Sequence, residues 1–132
     1  MQIILNHCLR AVMVTALVSL FCLAAPARAA EEAAQSFGIV SVPSGLSHKE
    51  VKATIVETLL ARSWTIQDKS DDKIVGQYIQ RENEATLTLK YDTKQIEVFC
   101  SGHSRRGGPP TRWIDYIKKD LNVYLNRAAI NK

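Results

Sequence analysis

Between residues 47 and 128 the apolar positions switch from a helical period to alternation and back. Val51, Ile55 and Leu59, flanked by Val56 and Leu60, recur at helical spacing. Ser47 and Glu50 frame the start of that run as a capping box: the serine hydroxyl accepts an orphan backbone N–H and the glutamate reaches back. The spacing predicts a helix over 48–62, with Lys49, Lys52 and Glu57 toward water. Three or four strands follow, at 64–66, 74–79, 85–91 and 96–100, separated by polar turns. A second helix over 112–128, with Thr111 as its N-cap, carries a stripe of Trp113, Ile117, Leu121 and Tyr124 flanked by Ile114 and Leu125. Residues 37–42 are a strand or an extended arm, residues 30–36 a flexible start, and 129–132 a tail.

Strand alternation assigns faces, because a one-residue slip turns every side chain over. One face reads Trp64, Ile66, Ile74, Gly76, Tyr78, Ala85, Leu87, Leu89, Tyr91, Ile96, Val98 and Cys100. The other carries Thr65, Val75, Gln77, Ile79, Thr86, Thr88, Lys90, Glu97 and Phe99. Four-residue turns set Tyr78 opposite Leu87, Leu89 opposite Val98, Leu87 opposite Cys100 and Lys90 opposite Glu97. Gly76 falls opposite Trp64, leaving room for the indole. Two helices and a sheet, each with one apolar face, predict a two-layer α+β domain over 46–128. It is an antiparallel three- to four-stranded meander with an N-terminal and a C-terminal helix packed on one face. Residues 101–110, rich in glycine and proline, read as a long connection without regular structure.

Residues ahead of the domain change what the composition means. Arg10 precedes a charge-free run over 11–25, Pro26 ends it, and Ala27-Arg28-Ala29 supplies small residues where a signal peptidase inspects. This reads as a signal peptide over 1–29, cleaved after Ala29, exporting the protein to the periplasm or beyond. The run is shorter than a membrane anchor requires, and Phe21 is too large to precede a lipidated Cys22. Without Arg10 and Arg28 the rest holds 15 basic and 13 acidic residues, a balance of +2 that argues against a nucleic-acid partner. Of Cys8, Cys22 and Cys100, only Cys100 survives processing, so no internal disulfide forms and packing alone must stabilise the fold.

Certain short motifs stand out: Arg62-Ser63-Trp64 after the first helix, Tyr91-Asp92 ending the third strand, and Arg112-Trp113-Ile114 with Asp120-Leu121 in the last helix. Over residues 46–126 the chain resembles a group of small secreted bacterial proteins and lipoproteins of uncharacterised function. They share a helix, β-meander, helix layout, with Arg-Gly-Trp after the first helix and Asn-Arg-Trp opening the last. Ser63 stands where the group prefers glycine, and Pro110-Thr111 replaces the usual Tyr-Asn. The resemblance implies the fold and export, and no activity.

Candidate chemistry is sparse. Arg105 and Arg106 beside Gly107-Gly108, with Arg112 at a helix start, form a candidate anion site. Val75, Ile79 and Phe99 on the outer sheet face form a candidate partner surface. Cys100 and His103 have metal-ligand types and spacing, but a site needs a third ligand. Asp68, Asp71 and Asp72 read as turn chemistry, and Trp64 and Trp113 as core aromatics facing the helix–sheet interior. No cofactor is expected. The reading is an exported binding or interaction module, monomeric or weakly dimeric, whose partner is an envelope protein or an anionic envelope component. An enzyme or metal protein using Cys100 and His103, and a structural or stress accessory protein of the envelope, are the alternatives.

Overall fold

A computed structural model describes residues 34–132. The leader, its cleavage after Ala29 and the start of the flexible segment lie outside the described residues. Strand β1 (Gln35–Ser41) leads into helix α1 (His48–Ala61), then β2 (Thr65–Lys69), β3 (Lys73–Gln80), β4 (Asn83–Tyr91), β5 (Gln95–His103) and helix α2 (Thr111–Ile130). The sheet has five strands in the order β1-β5-β4-β3-β2, every neighbouring pair antiparallel. Both helices bury their apolar stripes on one face of it, in a single core that runs through Ile55, Leu59, Leu87, Val98, Ile117 and Leu121. The α+β class and the two-helix, one-face arrangement agree with the apolar pattern.

The strand count does not. Residues 35–41 leave the meander's sequence neighbourhood and pair with β5 at the far edge, which makes five strands. That pairing joins segments more than fifty residues apart, and no local periodicity encodes it. β1 bulges between Ser36 and Ile39, where Gly38 takes a φ of +92°. A bulge frees backbone groups from the ladder, and the Phe37 carbonyl there accepts a 2.7 Å bond from Lys118 of α2.

The capping box forms as expected: Glu50 N–H donates to Ser47 Oγ (3.2 Å), and Ser47 N–H donates to Glu50 Oε2 (2.7 Å). Thr54 and Thr58 are buried in α1, and each satisfies its hydroxyl by donating to the carbonyl four residues back, at 2.8 and 2.7 Å. α2 departs from its expected start. Its N-cap is Pro110, with no side-chain cap, and Thr111 is already helical. Its end is no free tail: α2 runs to Ile130, and Lys132 pairs with Glu50 at 2.7 Å.

Two registers move. Arg81 and Glu82 make a two-residue turn, with Arg81 at φ +58°, so Tyr78 faces Ala85 and Gly76 faces Leu87. Such left-handed turns suit the strand twist and displace the four-residue turn expected. The shift is by two residues, so every side chain keeps its face. Gly76 likewise faces Ile66 rather than Trp64. A Cβ on Gly76 would lie 3.2 Å from Leu59 Cδ1 and 3.6 Å from the Trp64 ring, so the gap chiefly admits α1. The four-residue turn between β4 and β5 does form, with Leu89 opposite Val98, Leu87 opposite Cys100 and Lys90 opposite Glu97.

β5 also continues to His103, beyond its expected end, and Ser104 and Gly107 bridge to each other around Arg105 and Arg106. The 101–110 stretch is therefore a strand end and a tight turn before it becomes a connection. No helix among the described residues is long and apolar enough to cross a membrane.

Candidate ligand-binding cleft

Helix α1 ends in a Schellman motif. The Trp64 N–H donates to the Leu59 carbonyl and the Ser63 N–H to the Leu60 carbonyl, both at 3.0 Å. Such an ending requires a left-handed residue between cap and strand, a place usually filled by glycine; here Ser63 occupies it at φ +64°. The motif reverses the chain within three residues, sinks Trp64 against the core at 3% exposure and leaves Arg62 at the surface.

α2 passes beside this corner. Its fully buried line is Ile114, Ile117, Leu121 and Leu125. That line is rotated from the stripe expected around Trp113 and Tyr124, which are only half-buried on its shoulder. The rotation presents Trp113, Tyr116, Asp120 and Tyr124, one helical stripe, to the corner at the end of α1. Together with Arg62, Ser63, Trp64, and Tyr78 and Gln80 at the end of β3, they line an open cavity of about 500 Å³. Both tryptophans of the chain and three of its four tyrosines lie around it, so its aromatic surface is concentrated here.

Three of these rings contact one another, Trp113 edge-to-face with the other two and Trp64 tilted against Tyr78. Trp113 meets Tyr78 at a centroid separation of 4.8 Å and Trp64 at 6.5 Å, and Trp64 lies 5.6 Å from Tyr78. Arg62 closes the opposite side. Its Nε donates to Asp120 Oδ2 at 2.5 Å and its NH2 nitrogen to Oδ1 at 3.2 Å, while its guanidinium lies 4.8 Å from the Tyr116 ring centroid. Hydrogen bonding to Asp120 raises the Arg62 pKa further above an already high value. A two-point pair of this kind fixes a planar, charge-matched wall between two helices.

The anion-site, partner-surface and metal-ligand residues singled out from the sequence lie outside the lining of this cavity. Arg105 Nε donates to Glu82 at 3.0 Å and the Arg105 N–H to Asn83 Oδ1 at 3.2 Å, which ties the turn to the β3–β4 hairpin. Arg106 lies exposed at the tip of that turn, and Arg112 is exposed on the first turn of α2. Val75 and Phe99 are half-buried and Ile79 is 59% exposed on the outer face; Lys90 sits over the Phe99 ring at 5.3 Å. Cys100 is fully buried on the core face, and burial pushes its thiol up to about 12. His103, three residues on, has the opposite parity and is exposed, so the two cannot share one ion. Among the described residues no group of three His, Cys, Asp or Glu gathers as metal ligands. Asp71 is held by Lys52 at 3.0 Å.

Periodicity passed over Tyr116, Gln80, and the pairing of Arg62 with Asp120, 58 residues apart. The short motifs were the available signal: Arg62-Ser63-Trp64, Trp113 and Asp120 converge on this cavity. No family model, no curated protein and no solved structure matches the chain. The functional reading therefore rests on this geometry.

Proposed function

We propose that the chain is an exported binding module of the cell envelope whose ligand seats in the aromatic cleft between the end of α1 and residues 113–124 of α2. The carrying observation is the concentration of both tryptophans and three tyrosines around a cavity of about 500 Å³, with a planar ion pair as one wall. Small-molecule sites combine aromatic lining with a few placed polar groups at this volume. Binding, rather than catalysis, is favoured because both Asp120 oxygens accept from Arg62, which leaves that carboxylate no free role as a base. Export is supported by the charge-free run over 11–25 and the Ala27-Arg28-Ala29 site. Kinship with the group of small secreted bacterial proteins belongs to the same proposal; its support is that Arg62, Ser63, Trp64, Trp113 and Asp120 of those motifs meet at the cleft.

The test is a fragment screen followed by amide chemical-shift mapping. Shifts confined to residues 61–64, 78–80 and 113–124 are expected. Hits that map to Val75, Ile79 and Phe99, or to Arg105 and Arg106, would move the site to the outer sheet face or the turn.

A further inference from the structure

We infer that the ligand of this cleft is a neutral saccharide. The inference rests on the cleft being the binding site, and three features of its lining select the class. The first is charge. Arg62 and Asp120 are the charged groups among the lining residues, and they neutralise each other in a two-point pair. An anion or a cation entering the cleft gains no net attraction and must compete with that pair for its partner. The cleft therefore suits an uncharged ligand.

The second is hydrogen-bonding capacity. Among the described residues, nothing hydrogen-bonds to the hydroxyls of Tyr78, Tyr116 and Tyr124, the Gln80 amide or the Trp113 indole N–H. In an open cleft such groups bond to water. A wholly apolar ligand would strip that water and replace none of its bonds, which costs free energy for each group. A ligand with a rim of hydroxyls restores them.

The third is shape. Trp113 is half-buried and packs edge-on to Tyr78 and Trp64, so part of its surface remains open to the cleft. Tyr116 is 43% exposed. Flat rings of this kind accept a ligand that is apolar on one face and polar at its edge. A pyranose ring carries axial C–H groups on its faces and hydroxyls around its equator. The cavity's volume of about 500 Å³ lies within the range of small-ligand pockets.

Both tryptophans of the protein line the cleft, so all of its indole emission reports on this site. The experiment titrates the purified protein with cellotriose, chitotriose and maltotriose, reading tryptophan emission and heat. At least one of the three should give a saturable change whose dissociation constant is the same at low and high salt, since no net charge is matched. Tyr116→Ala and Gln80→Ala, both at exposed positions that leave the core intact, should each weaken binding by about tenfold, the equivalent of one good contact. Saturable binding of 2-naphthol or of inositol hexaphosphate with none of the three saccharides would overturn the saccharide class and leave the cleft standing. Silence from all five probes would overturn both. A saccharide that binds with unchanged affinity in Tyr116→Ala and Gln80→Ala would place its site elsewhere and overturn the inference.

Discussion

Cys100 lies on the core face of β5, opposite Leu87, with no exposed surface. Its thiol is pushed from 9.0 up to about 12 by burial, which penalises the thiolate. In the unfolded chain the same thiol titrates near its ordinary value. Between those two values the unfolded state has released a proton that the folded state still holds. Stability therefore falls as pH rises through this window and is unaffected by the thiol below it. At pH 10 most of the unfolded thiol is ionised while the folded thiol keeps its proton, which stabilises the unfolded state by about 1 kcal/mol. Across the whole window the loss approaches about 4 kcal/mol, a large share of a small domain's stability. Lysines and tyrosines also titrate there, so the measurement is a difference. Urea midpoints are taken at neutral pH and at pH 10 for residues 30–132 and for the Cys100→Ala variant of the same residues, whose cavity cost is independent of pH. The wild type should lose about 1 kcal/mol more than the variant on going to the higher pH. Parallel profiles would refute the reasoning, as would native-state labelling of Cys100 at the rate of a free thiol.

Ser63→Gly should raise stability: a left-handed L-residue costs about 1–2 kcal/mol, of which the added freedom of unfolded glycine returns about half, so a gain of about 0.5–1 kcal/mol and a few degrees in Tm is expected by calorimetry. Trp113→Ala should cost about 2–3 kcal/mol in urea, below the range for a fully buried aromatic, while Phe99→Ala on the outer face costs under about 1 kcal/mol; equal midpoint shifts would mean that one face is misassigned. Gly102→Ala should cost more than about 2 kcal/mol, because φ is +141° and the new Cβ would sit 2.1 Å from the Glu84 carbonyl oxygen; an unchanged midpoint would show that this end of the sheet frays freely.

By itself the sequence determined the helices, the meander and the assignment of faces. Each rests on local periodicity and local caps: Ser47 and Glu50 are three residues apart, and strand alternation needs no distant partner. The parity of Cys100 with Ile96 and Val98 correctly implied burial, and the two-residue register shift at Arg81 left that parity untouched. Tertiary structure decided everything that required residues distant in sequence to meet. β1 found its partner in β5 across the whole meander, a pairing whose signal is divided between two distant segments. The rotation of α2 about its axis follows from packing against α1 and the sheet, and that rotation put Ile114 and Leu125 in the core while moving Trp113 and Tyr124 to its shoulder. The cleft is a product of the same packing. Its aromatic residues are visible along the chain, but periodicity cannot separate a ring sealed in the core from one at the lip of a cavity. The Arg62–Asp120 wall exists only because the end of α1 and the middle of α2 come to lie side by side.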